Sequence, residues 1–145
     1  MQYREVTIDR SFTLRLAHGD DWRGQIEALA AEEDIHAGWF IGLGAVHDAE
    51  LWYYDQSAGE YQPFSVDEPM EVASCVGNLS LLDGAVFAHT HAVLSDQSGR
   101  SVAGHLNRAA VFAGEVFVIA FDEPLERLPD EETDLDLWHL EQYVS

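Results

Sequence analysis

Three histidines in one stretch of the chain have the type and spacing of metal ligands. His89 and His91 are two residues apart, and His105 follows fourteen residues later, in a chain with seven histidines. On a strand, residues i and i+2 point to the same face with their Cα atoms roughly 7 Å apart, so two such imidazoles can share one ion. Three neutral imidazoles with an open fourth position suit zinc, and also other first-row divalent ions.

The residues around these histidines predict a hairpin that would bring them together. Residues 85–94 (AVFAHTHAVL) have the composition of a strand, and residues 95–102 (SDQSGRSV) contain the Ser, Asp and Gly of a turn. Gly104, directly before His105, permits either a close approach of two backbones or an unusual φ at that point. The alternative is that the histidines are ordinary polar residues of a strand whose ring nitrogens make hydrogen bonds, since short motifs predict ligands weakly.

The rest of the pattern predicts an α/β (α+β) domain in which one principal helix packs on a mostly antiparallel sheet. The helix is expected to begin after an N-cap at Asp20 and to end before Gly38. Its apolar stripe consists of Trp22, Ile26, Leu29 and Ala30. Strands are predicted at residues 3–8, 12–17, 39–46, 50–55, 60–66, 71–82, 85–94 and 109–121. Short turn-rich connections imply antiparallel neighbours. The tail is expected to contain an acidic segment and one helical turn near its end. The length suits a single domain over residues 1–145.

The charge balance is extreme. There are 27 acidic residues against seven basic ones, and the net charge is -20. The acidic residues are dispersed, and at molar salt the Debye length falls to about 3 Å, which screens their repulsion. The composition therefore predicts a protein adapted to a very saline cytoplasm; the alternative is an acidic protein that seeks basic partners. Because duplex affinity comes largely from Lys and Arg, the same charge opposes direct DNA binding by this chain alone.

Other features narrow the class of protein. No apolar run reaches the roughly 18 residues of a membrane span, and the first residues lack the basic and apolar regions of a signal peptide. Cys75 is the single cysteine, which excludes a disulfide framework and a cysteine metal cluster, and it is interpreted as a small core residue. These features predict a cytoplasmic protein that does not enter a membrane.

The histidine segment also resembles a known family signature. H-x-H at 89–91, D-x-x-G-R at 96–100 and G-H-L at 104–106 are similar to the motif of the plants-and-prokaryotes conserved (PPC) domain family. Residues 12–55 resemble the opening of that domain, MEVASCVGNLSLLDG its central segment, and VFAGEVFVIAFDEPLER its closing strand with Glu115. One departure is Ala103, which stands where the family often has the first of two glycines.

The resemblance implies several properties of the chain. Family members have a mostly antiparallel α/β fold and assemble as homotrimers, and some prokaryotic members hold a metal on histidines that map to His89, His91 and His105. Members are often labelled DNA-binding, but plant members contact DNA through an AT-hook, and the sequence contains no R-G-R-P hook. The cofactor implied is a divalent metal, with zinc expected.

Neighbouring residues receive candidate roles if the metal binds. A ligating imidazole usually donates its other N–H to a carboxylate or carbonyl, and Asp96, Asn107 and Glu115 are candidates for that acceptor. Arg100 is a candidate for binding an anionic group or for a surface ion pair. The resulting hypothesis is a homotrimeric metal-binding module, with a regulatory role among the possibilities. The alternatives are a DNA-associated regulator and a small metal-dependent enzyme without assigned catalytic residues.

Overall fold

Strands dominate the described part of the chain, which comprises residues 1–140 and 142–143 of a computed structural model. Among these residues the elements, in chain order, are β1 (Gln2–Tyr3), β2 (Ile8–Leu16), α1 (Trp22–Glu32), β3 (Gly38–Asp55), β4 (Glu60–Val66), β5 (Met70–Leu82), β6 (Ala85–Ser95), β7 (Ser101–Phe121), β8 (Arg127–Asp130), β9 (Leu135–Trp138) and β10 (Gln142–Tyr143). The predicted α+β class, with one principal helix and a mostly antiparallel sheet, is confirmed.

The six-stranded main sheet closes part of itself into a ring. Its order is β2-β7-β6-β5-β3-β4, and β3 also pairs with β7. The pairs β3–β5, β5–β6, β6–β7 and β7–β3 are all antiparallel. These four strands are therefore hydrogen-bonded in a closed circuit with an apolar interior, and the three histidines lie on two of them.

Two strands are longer than the sequence pattern predicts. The predicted strands at 39–46 and 50–55 are one strand, β3, and the predicted strand at 109–121 extends back to Ser101 in β7. Register shifts between β3 and β7 at Ala45/Val46, Val46/Asp48 and Glu50/Leu51 mark bulges at which both strands can bend. Because of this extension His105 lies within β7 itself.

Glycine permits the closest approach between these two strands. A Cβ at Gly44 would collide with the carbonyl oxygen of Ala113, and one at Gly104 would lie 2.9 Å from the carbonyl oxygen of Trp52. The predicted close backbone approach at Gly104 is confirmed. It holds the β7 backbone against β3 next to His105.

The helix starts one residue after the predicted N-cap and ends several residues before the predicted terminator. Asp21, rather than Asp20, is the N-cap: its carboxylate accepts from Gly24 N at 2.8 Å and from Ala109 N at 2.9 Å, which ties the helix start to β7. The C-cap is Glu33, and Asp34 has φ +56°, so the helix ends well before Gly38. Aspartate tolerates this left-handed conformation, which made a terminating glycine unnecessary.

The core fills the space between α1 and the ring of strands. Trp22, Ile26 and Ala30 are fully buried, as the apolar stripe predicts. Cys75 is also fully buried, and burial raises the pKa of its thiol to about 12, so it behaves as a small core residue. Among the described residues no helix is both long and apolar enough to cross a membrane.

The tail differs from its prediction. Instead of a helical turn, residues 127–138 form an antiparallel hairpin of β8 and β9. Leu81 N donates to Leu125 O at 2.7 Å, and Arg127 N–H groups bond to β5, so the hairpin is held against that strand. Leu135 and Leu137 alternate with the acidic Asp136, which is the two-residue period of a strand. Both leucines pair with β8, Leu135 with Asp130 and Leu137 with Leu128. This hairpin covers the face that carries the histidines.

Candidate metal centre

The β6–β7 hairpin brings the three predicted ligands together. His91 pairs directly with His105 across the two strands, and His89 lies two residues before His91 on the same face. The ring centroids of His89 lie 5.1 Å from those of both other histidines, and His91 and His105 are 5.4 Å apart. One ligand nitrogen from each ring lies within 4.8 Å of the others, so the cluster could hold a metal ion.

The nitrogen spacing fits a small tetrahedral ion. His89 Nε2 and His91 Nε2 are 3.3 Å apart. Two nitrogens bound at about 2.0–2.1 Å to one tetrahedral zinc ion lie about 3.3 Å from each other. His89 and His91 therefore have the separation that shared coordination of one ion requires.

Burial keeps the imidazoles neutral, which is the form that binds metals. It lowers the pKa of His89 to about 4, with further lowering by the charges of Arg127 and the other two histidines. Burial likewise lowers the pKa of His105 to about 4, where the nearby charges of His91, Arg23 and Arg127 add to the effect. The pKa of His91, the most exposed of the three, is also lowered by burial.

One nitrogen of the cluster lacks a partner. His105 is 8% exposed, and its Nδ1 makes no hydrogen bond to any described residue. A buried polar atom left unsatisfied costs about 1–3 kcal/mol. A buried imidazole nitrogen without a hydrogen-bond partner, beside two further imidazoles, is expected where ring nitrogens bind a metal ion. The residues present therefore fit a metal.

Aromatic side chains fix the orientation of the rings. Trp52 stacks on His105 with centroids 6.3 Å apart, and Tyr61 lies 5.4 Å from the same ring. Phe87 stacks on His89 at 6.3 Å. These contacts restrict rotation of two ligands about their side-chain bonds and lower the entropy lost when an ion binds.

The predicted neighbours of the cluster fall in different places. Asn107 lines the same cavity as His89 and His105 and donates to Glu50 Oε1 at 2.7 Å. Asp96 and Arg100 bond to each other at the hairpin turn, at 3.0 Å and 2.9 Å, which is the surface ion pair foreseen for Arg100. The turn is at the far end of the hairpin, so neither residue contacts a histidine.

Glu115 also lies away from the histidines. It is ten residues further along β7, where it pairs with Arg15 of β2 and Leu43 of β3. The strand therefore carries it to a separate groove, lined by residues that include Phe117 and Ile41, and not to the cavity that His89 and His105 line.

Arg127 is the residue next to the site that the motif analysis missed. Its Nη2 lies 3.3 Å from His89 Nδ1 and donates to Asn78 Oδ1 at 2.7 Å, while its Nε donates to Ser80 Oγ at 2.8 Å. Asn78 pairs directly with His89 across β5 and β6. Both strands were predicted from the sequence, so this pair could have been found from their register. Arg127 itself gave no signal, because it lies at the start of the tail hairpin, far along the chain from the histidine motif.

Three solved structures have the same fold as this chain. A metal-containing protein from Archaeoglobus fulgidus is 41% identical with a TM-score of 0.92, covering 96% of this chain and 99% of its own. A plant- and prokaryote-conserved protein from Pyrococcus horikoshii is 27% identical with a TM-score of 0.91, covering 99% and 100%. A protein from Ralstonia eutropha that carries a DNA-binding label is 26% identical with a TM-score of 0.83, covering 89% and 90%.

Sequence relatives and a family profile complete the comparison. The bifunctional protein GlmU of two Synechococcus strains is 26% and 27% identical over 140 and 126 residues. The chain spans only about a fifth of the length of these curated relatives, 21% and 19%. The profile of the Plants and Prokaryotes Conserved (PCC) domain, the PPC domain of the sequence motif, matches residues 3–122. The chain therefore belongs to the PCC domain family.

Proposed function

We propose that this chain is a metal-binding module in which His89, His91 and His105 hold one divalent ion, with zinc the best fit. The observation that carries the proposal is the 3.3 Å separation of two Nε2 atoms within a cluster that burial keeps neutral. The description of the Archaeoglobus fulgidus protein as metal-containing supports it.

The donor set favours zinc over harder ions. Imidazole nitrogen suits zinc, copper, iron and nickel, whereas magnesium and calcium prefer oxygen ligands. A three-histidine zinc site with an open fourth position supplies a water whose pKa is lowered to about 7. The chain's own residues hold the rings in place: Trp52 and Tyr61 against His105, and Phe87 against His89.

Metal analysis of protein purified without chelator tests this function. About one divalent ion per chain is expected for the wild type and for His47→Ala, a histidine that contacts His18 and Phe112 instead of the cluster. His91→Ala should lose the ion. Equal metal content in His91→Ala and the wild type would show that the cluster is not the binding site.

A homotrimer is the proposed assembly. Support comes from an apolar row on the outer sheet face, where Ile41 pairs with both Val76 and Phe117 and the three side chains are 52%, 37% and 41% exposed. Trp39 and Leu43 of β3 extend this row. Exposed apolar patches rimmed by polar residues commonly mark contacts between proteins. Since His91 pairs with Val76, the row runs directly into the metal centre.

Light scattering coupled to size exclusion tests the trimer. The wild type and Tyr53→Asp, a substitution at an exposed aromatic outside the row, should both have the mass of three chains. Ile41→Asp should shift the mass toward one chain. A monomeric wild type at micromolar concentration would contradict the assembly.

DNA association is the second candidate function, and the label of the Ralstonia eutropha relative is its support. The net charge of -20 opposes it, because phosphate contacts depend on basic side chains. Fluorescence anisotropy with duplex DNA at several ionic strengths tests whether the chain binds DNA. No binding is expected at any salt concentration, and retained binding at molar salt would favour the DNA role.

The cavity beside the histidines favours a third candidate, a small metal-dependent enzyme. Turnover in a screen of hydrolysable substrates, lost in His105→Ala, would establish it.

A further inference from the structure

The histidine cluster opens into a cavity of about 420 Å³. Volumes of about 300–1,000 Å³ are typical of sites for small molecules. Its walls come from α1, from strands β3 to β7 and from the tail hairpin. The residues that decide its chemistry are Arg23, Phe87, Asn107, Arg127, Asp136 and Leu137. Two of the seven basic side chains of the chain therefore line this one cavity.

Arg127 is a buried cation without a carboxylate partner. It is 7% exposed, and no carboxylate oxygen of a described residue lies within 4.0 Å of its guanidinium. Its donors go to neutral acceptors: Ser80 Oγ, Asn78 Oδ1, the carbonyl oxygen of Asp136 and His89 Nδ1. Buried charges are normally paired, and 27 acidic residues were available to supply a partner.

Arg23 provides a second positive charge at the cavity. Its guanidinium lies 5.9 Å from the ring centroid of Phe87, and that of Arg127 lies 5.4 Å from the same ring. Arg23 lines the cavity together with His105, and its charge contributes to lowering the pKa of that histidine. Its contact with Glu27 is long, 3.8 Å, and Arg23 Nε has no hydrogen-bond partner among the described residues.

A divalent ion on the histidines would add more positive charge to the same cavity. The acidic wall residues make no ion pair with Arg127: the Asp136 carboxylate raises the pKa of that guanidinium but lies beyond 4.0 Å, and Asp134 is also on the hairpin. Burial lowers the pKa of the Arg127 guanidinium, so its charge is already costly before an ion arrives. An anion in the cavity would offset both charges.

The hydrogen bonds of His89 link the ion to this anion site. Its Nε2 faces His91, so a neutral His89 that ligates through Nε2 carries its proton on Nδ1. Nδ1 then no longer accepts from Arg127 Nη2, and that N–H becomes free to bind another acceptor. A metal held through Nε2 would therefore leave two donors, His89 Nδ1–H and this Arg127 N–H, in need of an acceptor beside the ion.

We propose that this cavity binds a small molecule bearing one oxyanion, a carboxylate or a phosphate, held by Arg127 and Arg23 beside the metal centre. Phe87 and Leu137 offer apolar contacts to the rest of the ligand, and the carboxylates of the hairpin wall disfavour a second negative group. The inference rests on the proposed metal site, because metal and oxyanion bind cooperatively in this scheme.

Cobalt(II)-loaded protein gives a direct test, with benzoate as the carboxylate probe and inorganic phosphate as the phosphate probe. Calorimetry and the visible absorption of the cobalt ion are followed at constant ionic strength. We expect saturable binding of at least one probe at millimolar concentration, weaker binding to metal-free protein, and about a 10-fold loss in Arg127→Gln, since bonds to charged groups are among the strongest. Benzoate alone would assign a carboxylate, and phosphate alone a phosphate.

Two further variants keep the test decisive. Arg23→Gln, at a partly exposed position, should also weaken binding and serves if Arg127→Gln does not fold. Arg100→Gln, at an arginine 86% exposed on the hairpin turn, should bind like the wild type. Cobalt binding without any response to either probe, or equal affinity in the wild type, Arg127→Gln and Arg23→Gln, would overturn the oxyanion site and leave the metal site standing. Failure to bind cobalt would overturn both.

Discussion

The polar groups at the two ends of the β6–β7 hairpin differ in whether they have partners. At the turn, Asp96 and Arg100 form an exposed ion pair, and Asp96 also accepts from the Ser98 backbone and hydroxyl. Beside the other end, the buried Arg127 of the tail hairpin has no carboxylate within 4.0 Å among the described residues, and His105 Nδ1 has no hydrogen-bond partner among them. The polar groups of the turn are paired with one another, whereas polar groups at the histidine end remain available to bind a ligand.

This difference separates a structural feature from a functional one. Exposed ion pairs contribute about 0–1 kcal/mol, so the turn needs no role beyond closing the hairpin. A buried charge that lacks a counter-charge is costly, and such features cluster at functional sites. Each of the following changes tests whether the two ends differ in this way.

The largest effect is expected from removal of a ligand at the histidine end. Changes to residues that only support a ligand typically cost about 10–100-fold in metal affinity, so His105→Ala should cost more than that. Competition with a chromophoric chelator measures the affinity. His47→Ala is the matched control, and an unchanged affinity in His105→Ala would place the ion elsewhere.

Arg127→Gln should destabilise the metal-free protein by about 1–3 kcal/mol. The shorter amide cannot replace the bonds to Ser80, Asn78 and the Asp136 carbonyl, and their loss outweighs the relief of a buried charge. Urea unfolding at fixed high salt measures the difference. A variant more stable than the wild type would mean that the buried charge, rather than its hydrogen bonds, dominates.

As the pH falls, the histidines should lose their contribution to folding stability at a higher pH than Asp96 at the turn does. The folded-state pKa values of His89 and His105 are about 4, below the ordinary 6.5, so the unfolded chain binds more protons between these values. Their contribution to stability is complete above pH 6.5 and falls as the pH drops toward 4.

The turn responds at lower pH. The Ser98 hydroxyl is the main cause that holds the pKa of Asp96 at about 2, below its ordinary 3.8, so its contribution persists until the pH falls below 3.8. Unfolding midpoints of chelator-treated protein from pH 7 to pH 4.5 measure the effect, and His89→Gln should flatten the profile. A slope identical in His89→Gln and the wild type would contradict this assignment.

The smallest effect is expected at the turn. Arg100→Gln removes one partner of an exposed pair and should change the free energy of unfolding by no more than about 0.5 kcal/mol. Its metal affinity should equal that of the wild type. A clear loss of metal in this variant would show that the two ends of the hairpin are coupled.

The predictable parts of the molecule are those encoded by local pattern. The H-x-H strand, the Ser-Gly turn and Gly104 were sufficient to predict the hairpin that joins His89, His91 and His105. The apolar stripe likewise predicted the buried face of α1. Periodicity did not reveal that β3 and β7 are continuous through their bulges, because bulges interrupt the alternation on which strand prediction relies.

The parts that sequence reasoning missed depend on contacts between distant segments. Arg127 reaches His89 from a hairpin 38 residues later, and its closest acceptors lie on β5. Conversely, Asp96 and Arg100 are near the histidines in sequence but are directed away by the length of the hairpin. Sequence reasoning therefore considered Arg100 as a possible neighbour of the site and did not find Arg127.

The central claim is that the three histidines bind one metal ion, and anomalous diffraction tests it most directly. Crystals of protein purified without chelator and supplied with zinc are measured on both sides of the zinc absorption edge. The account predicts one anomalous peak per chain, about 2.0–2.1 Å from a ring nitrogen of each of His89, His91 and His105. A map without a peak between these rings would contradict it.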